Sequence, residues 1–484
     1  MAHRVVVGDG AMGTTLQSYD LTLDDFEGHE GCNEILNLTR PDIVASVHRD
    51  FLSVGVDAIQ SNTFGANLGN LGDYGIAHRI HEIAAAGARL AREVADEFTT
   101  SDRPRWVLGS VGPGTKLPTF GHARYAELRD AYQIQVEGMI EGGIDAVQVE
   151  TVQDLLQAKA AIVGAQRALR AAGIDLPIFA QVTVETTGTM LVGSEIGAAL
   201  TMLEPLGIDA IGLNCATGPA EMGEHLRHLS RHARVALMCT PNAGLPMLRD
   251  GGSFYPLTPV ELADAHDRFT VEYGVSFVGG CCGTTPEHLR LVVERVRGRD
   301  VAPRRPRREP AAASLYQAMP FRQDTAFLSI GERTNANGSK AFREALVAEN
   351  WDECVQIGKD QIHSGAHLLD VCVDYVGRDG VADIGAVVSR LATASTIPLV
   401  IDSTEPEIVE AALELIGGRP VVNSVNYEDG DGEGSRIARM MPIVKEHGAA
   451  VVALTIDEEG QARTAEWKVR VADRLIRDLV DNWG

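Results

Sequence analysis

No stretch of the 484-residue sequence approaches the ~18 consecutive apolar residues of a membrane span, so none of it reads as a spanning helix. The opening residues MAHRVVVGDGAMG hold too short an apolar run for a secretory signal, and a soluble, cytoplasmic protein is expected. Basic residues are in deficit: 43 Lys and Arg stand against 67 Asp and Glu, a formal net charge of −24. Neither nucleic acid nor an anionic membrane is an expected partner for so acidic a chain. The seven cysteines are odd in number and unevenly spaced, which argues against a secreted disulfide framework. Reduced thiols are expected.

What is present is a repeated alternation of short apolar runs with helix-like intervals. Strands are predicted at residues 4–8, 56–61, 106–110, 144–150, 177–185, 208–214, 235–240 and 275–279. Between them, stretches such as 76–96 and 126–142 place apolar residues at three- and four-residue spacing, the period of an amphipathic helix. Eight such units predict a TIM (β/α)8 barrel, whose chemistry lies at the C-terminal ends of its strands. Those ends carry Asp9 and Gly10 in GDGAMGT, Thr63 in SNTFG, Glu150 in VQVET, Cys215 in GLNCATGP, and Cys281 with Cys282 in GGCCGTTPEH. Asp9 and Glu150 can grip an ammonium group at this rim, and either alone also suits a helix cap.

Adjacent cysteines cannot easily bridge each other across one trans peptide. If the runs ending at Cys215 and at Cys281-Cys282 are parallel strands of one barrel, three thiols converge. Three thiolates make a tetrahedral zinc site with one position open to a reacting group. A lone cysteine is more simply a small buried hydrophobe, and that is the reading for Cys32, Cys239, Cys354 and Cys372.

After one more helix the composition shifts. Residues 295–310, RVRGRDVAPRRPRREP, combine prolines with a basic run, which reads as a solvated linker contacting a negative face. We place a first domain at 1–302, the linker at 303–316 and a second domain at 317–484. The second domain repeats the alternation, with strands predicted at 327–331, 366–373, 398–402, 420–425 and 449–456. Helices are predicted at 340–350, 406–416 and 465–480. Five strands are fewer than the eight a closed barrel needs, so this domain reads as a truncated (β/α) barrel.

The motifs GDGAMGT, SNTFGAN, GLNCATGP and GGCCGTTPEH resemble the homocysteine methyltransferase barrel. IGERTNANGSKAF, DVCVDYVGRDG, LVIDSTEP, VNSVNYEDGDG and TIDEEGQA resemble the pterin-binding barrel that follows it in the cobalamin-dependent methionine synthase family. The resemblance covers nearly the whole chain, in the family's motif order. It implies zinc on Cys215, Cys281 and Cys282, with homocysteine sulfur as fourth ligand. It assigns Asp9 and Glu150 to the homocysteine ammonium, and backbone amides of Gly10 and Thr63 to its carboxylate. In the second barrel it implies pterin contacts from Asp402 and Asn423, with Asn335, Asp370 and Asp374 at the same rim. Cys372 departs from the family pattern, where many relatives carry Asn.

By that resemblance, methyltetrahydrofolate is the ultimate methyl donor to homocysteine, through methylcobalamin on a further domain or partner polypeptide. An incomplete second barrel is expected to bind the folate weakly. Two alternatives stand beside this reading: a homocysteine methyltransferase using betaine or S-methylmethionine directly, and a fragment that binds ligands without turnover.

Overall fold

Runs such as AIGLN and AVQVETV form strands buried along almost their whole length. Parallel strands with side chains packed on both faces read in this way. The computed structural model describes residues 1, 3–249 and 252–484. The chain divides into two compact units, Met1–Ile196 with Gly207–Arg308, and Glu309–Gly484 with Gly197–Leu206. Among the described residues, no helix is long and apolar enough to cross a membrane.

The first unit carries eight parallel strands: β1 (Val6–Val7), β2 (Ala58–Gln60), β3 (Trp106–Val111), β4 (Ala146–Val152), β5 (Ile178–Val182), β6 (Ala210–Asn214), β7 (Ala236–Thr240) and β8 (Phe277–Val278). They lie in the order β1-β8-β7-β6-β5-β4-β3-β2, a nearly closed (β/α)8 barrel. The β1–β2 seam carries no ladder. Instead, the Asp57 amide donates to Val7 O at 2.7 Å, and the Val7 amide donates to the Asp57 carboxylate at 3.1 Å. Further along, the Gln60 amide donates to the Asp9 carboxylate at 2.9 Å. Two aspartate side chains thus replace main-chain acceptors where the ring meets itself.

The surrounding helices show why the sequence pattern was readable. In Ile80–Phe98 the buried positions include 80, 83, 84, 87, 88, 91, 94 and 95, one stripe of a 3.6-residue period. Leu155–Ala172 starts where the Asp154 carboxylate accepts the Leu156 amide at 2.8 Å and stops at Gly173 in the left-handed region. Inside the barrel, Gln148 donates to Gln181 at 3.0 Å and Gln181 to Thr240 at 2.9 Å, so the polar middle layer is tied across three strands.

Residues 303–308 do not run free. Arg304 donates to Ala233 O at 2.8 Å, and the Arg307 amide to Arg231 O at 2.7 Å, which lays this stretch along the first unit. Ala311–Ala313, expected as linker, is a buried strand paired antiparallel with Ala318–Pro320. Alanines carry little strand signal, which is why composition hid it.

The second unit holds five parallel strands in chain order: β9 (Ile330–Gly331), β10 (Leu368–Val371), β11 (Leu399–Asp402), β12 (Val421–Val425) and β13 (Ala450–Ala453). Helices return between them, and the apolar side chains of Phe342, Val387, Val409 and Met440 pack with Leu369, Ile401 and Val422 in one core. Phe327, placed at the start of the first of these strands by its apolar neighbours, is 95% exposed, and the strand begins three residues later.

Candidate metal and substrate site

The loops after β1, β6, β7 and β8 are stitched to one another by main-chain bonds. The Gly280 amide donates to Asp9 O at 2.9 Å, the Cys281 amide to Pro241 O at 2.9 Å, and the Ala243 amide to Cys282 O at 2.9 Å. Thr284 Oγ1 donates to Cys281 O at 2.7 Å. Glycine is required twice here: a Cβ on Gly10 would stand 2.5 Å from Thr284 Oγ1, and one on Gly283, at φ +78°, would stand 2.2 Å from the Tyr255 ring. At the end of β6, Cys215 and Ala216 both adopt left-handed φ, 59° and 53°. That turn swings the Cys215 sulfur toward the β8 loop.

The outcome is that the sulfurs of Cys215, Cys281 and Cys282 all lie within 4.8 Å of one another. Cys215 Sγ and Cys282 Sγ are 3.9 Å apart. A tetrahedral zinc–thiolate centre with ~2.3 Å bonds has sulfurs about 3.8 Å apart, so donor type and spacing both fit that ion. Bonds to Cys215 and then Cys282, with burial, raise the Cys281 thiol well above its ordinary range. Hydrogen bonds from Cys215 and then Cys281 hold Cys282 low, so the cluster gives up one proton readily and the next only with a cation to offset the charge. The other four cysteines are free and buried, away from this cluster.

Two carboxyl groups are buried at the same rim. Burial pushes Glu150 up to about 7, against the opposing bond from Ser110 Oγ at 2.6 Å, and the Cys215 thiol adds to the rise. Asp9 is also raised well above the carboxylate range, first by burial and then by Glu150, while its bond from the Gln60 amide opposes this. Asn214 braces the end of β4: its Oδ1 accepts the Thr151 amide at 2.8 Å and its Nδ2 donates to Thr151 Oγ1 at 2.8 Å.

Gly10 and Thr63 differ. Among the described residues the Gly10 amide donates to no group, leaving it available. The Thr63 amide, expected to face a substrate carboxylate, donates to Ser61 O at 2.9 Å, and its hydroxyl donates to Ser110 O at 2.8 Å. Thr63 therefore braces β2 against β3. One residue escaped the sequence reading altogether. Asn242 lies between Pro241 and Ala243, the partners of the two adjacent cysteines, and its buried Oδ1 accepts no hydrogen bond. A cation or an ammonium group would satisfy it. Nothing in PNAG singles out that side chain from an ordinary turn asparagine.

In the second unit the strand-end residues form a network. Asn335 Nδ2 donates to Asp370 Oδ2 at 2.8 Å and to Asp402 Oδ2 at 2.9 Å, and Asn423 Nδ2 donates to Asp402 Oδ1 at 2.9 Å. Burial lifts Asp370 to about 6 and also raises Asp402, each against the Asn335 bond. Asp374 stands apart, accepting from Ser403 Oγ at 2.9 Å. Cys372 is buried, with Asn337 Nδ2 3.6 Å from its sulfur.

Comparison with known proteins bears on both units. Residues 6–296 match the family model described as homocysteine S-methyltransferase, and residues 331–484 match the one described as pterin binding enzyme. The chain is 63% identical over 484 residues to the methionine synthase of Mycobacterium tuberculosis (strain ATCC 25618 / H37Rv), covering 100% of this chain and 41% of that protein. It is 61% identical over 489 residues to the methionine synthase of Mycobacterium leprae (strain TN), covering 100% of this chain and 40% of that one. The chain thus spans about two fifths of the length of these curated relatives. Among solved structures, the metallated form of a homocysteine methyltransferase from Escherichia coli aligns at 20% identity and a TM-score of 0.49, over 60% of this chain and 96% of that one.

Proposed function

The chain belongs to the homocysteine S-methyltransferase family, and from that premise we propose that its first barrel accepts homocysteine and directs methyl transfer to the substrate sulfur, giving methionine. The observation that carries this reading is the meeting of three half-buried sulfurs at one strand-end rim. Cys215, Cys281 and Cys282 would hold zinc, which when bound lets an incoming thiol ionise near neutral pH while the anionic sulfur set keeps it nucleophilic. Asp9 and Glu150 face the substrate ammonium, and the Gly10 amide faces its carboxylate. A cationic group beside Glu150 draws off its proton, since an opposite charge favours the ionised form.

The second unit is assigned to methyltetrahydrofolate. Asp402 accepts from the aminopyrimidinone edge of the pterin, while Asn423 offers a donor and an acceptor together. Asn335 and Asp370 hold that carboxylate in place. No residue of this chain is assigned to methylcobalamin; a further domain or separate polypeptide would carry it, and it supplies the methyl group. Seven free thiols fit a reducing, cytoplasmic setting.

The test is metal content followed by substitution with cobalt, whose visible spectrum reports a fourth sulfur ligand when homocysteine is added. Turnover with methylcobalamin, and none with betaine or S-methylmethionine, is the expected pattern. Protein that purifies without zinc and cannot be loaded, or that turns over with a direct donor, overturns the proposal.

A further inference from the structure

The N-terminal mouth of the first barrel, at the end away from the thiol rim, is incompletely filled. Each of the eight strands sends one side chain into a ring near the N-terminal mouth: Val6, Ala58, Leu108, Ala146, Phe179, Ala210, Met238 and Phe277. Barrels of this type normally fill such layers with bulky branched residues. Three of these eight are alanine, and Ala236 beside them adds a fourth methyl-sized side chain. What remains is an apolar cavity of about 440 Å³, walled by Val6, Trp106, Leu108, Phe179 and Phe277 and floored by alanines. Small-molecule sites begin at roughly 300 Å³.

Charge on one side of this mouth is unbalanced. The Arg4 guanidinium lies 5.6 Å from the centroid of the Trp106 ring. It is paired with Asp57 at 2.9 Å, but Arg103 and Arg105 also approach that same carboxylate, each at 3.8 Å. Asp57 is further engaged by the Val7 amide. Three guanidinium groups therefore share one carboxylate, and Arg105, only 7% exposed, keeps a buried Nε with no acceptor. Of the two acids that line the cavity, Asp145 is paired with Arg92 at 2.8 Å and bound by the Val107 amide at 2.7 Å. Asp209 accepts the Ile178 amide at 2.9 Å and keeps its charge, but it precedes β6, which lies across the ring from β2 and so from the Asp57 side of the mouth.

We infer that this mouth is a second ligand site, separate from the thiol rim, and that it takes an amphipathic monoanion. The apolar body, aromatic or a medium-length chain, fills the alanine-floored cavity. The carboxylate lies at the Arg4 side of Trp106 and shares the positive charge that Asp57 leaves unmatched.

Trp106 supplies the readout, because the chain's three other tryptophans, Trp351, Trp467 and Trp483, lie in the second unit. The full chain is titrated with octanoate, with octanol and with inorganic phosphate while emission is followed, and the Trp106→Phe variant identifies the responding ring. Octanoate should give a saturable change that Trp106→Phe abolishes, octanol should bind at least tenfold more weakly, and phosphate should do nothing. Arg4→Gln should bring octanoate down to the octanol level. The double variant Ala58→Leu with Ala146→Leu should lose the response to both, with circular dichroism and thermal melting reporting that each variant is folded. Equal responses to octanoate and octanol, no saturable response, or a response that survives filling the cavity would each overturn the inference. If one variant does not fold, the other still decides it.

Discussion

The Asp9 carboxylate accepts the main-chain amide of Gln60 at 2.9 Å, so a residue assigned to the substrate also closes the barrel. The two roles separate by substitution. Asp9→Asn keeps an oxygen for the Gln60 amide but removes the charge, whereas Asp9→Ala removes both. Asp9→Asn should melt close to the parent and bind homocysteine about tenfold or more weakly, the scale of a lost charged hydrogen bond. Asp9→Ala should in addition lose about 1–3 kcal/mol of stability for the stranded amide. Calorimetry and denaturant unfolding measure the two effects independently.

Glu150 predicts an unusual pH dependence. Its folded-state value is raised from 4.5 to about 7 by burial. An acid that holds its proton more tightly when folded favours the folded chain at low pH, and that contribution is lost as pH rises from about 4.5 through about 7. The size is about 3 kcal/mol. Unfolding of metal-free Glu150→Gln should lack this decline, and its stability relative to the parent should grow across the same interval. A parallel decline in both proteins would remove Glu150 as the cause.

Each thiol of the trio should be indispensable to metal retention and not to folding. Single serine replacements at 215, 281 or 282 should weaken zinc binding by more than about a hundredfold, beyond what loss of an outer-sphere partner costs. Competition with a chromogenic chelator reads this directly. Cys239→Ser, which alters a buried thiol outside the cluster, should leave metal content at the parental level.

In the second unit Asn335 is the amide that separates two acids. Asn335→Ala should cost about 1–3 kcal/mol and raise Asp370 further above its value of about 6, because the bond opposing its rise is gone. Asp402→Asn should change stability less and weaken methyltetrahydrofolate binding about tenfold. Urea unfolding and calorimetry distinguish a bracing residue from one that meets the ligand.

The barrel was legible because both faces of its strands are buried, which leaves non-polar residues at most positions of AIGLN and AVQVETV, and because helices such as Ile80–Phe98 keep a clean stripe. The seam was not. Asp57 ends no apolar run and carries no motif, and its bonds join residues 50 apart, a separation that local pattern cannot report. The strand Ala311–Ala313 was hidden by its composition, and Phe327 misled by its own. In the site, cysteines stand out by chemistry alone. What distinguishes Thr63 from Asn242 is a partner taken by the Thr63 amide and lacking at Asn242 Oδ1, and partners are made by the fold.

The paired left-handed turn at Cys215 and Ala216 sets a limit on how this rim can be altered. Position 215 must tolerate its conformational tension, as no residue lacking a Cβ offers sulfur to an ion. Its neighbour is under no such obligation. Glycine at 216 would relax that step and gain about 1 kcal/mol, yet it would slacken the arm that aims the sulfur. A more durable protein obtained by that exchange should hold its metal less firmly, so that here robustness and grip are rivals.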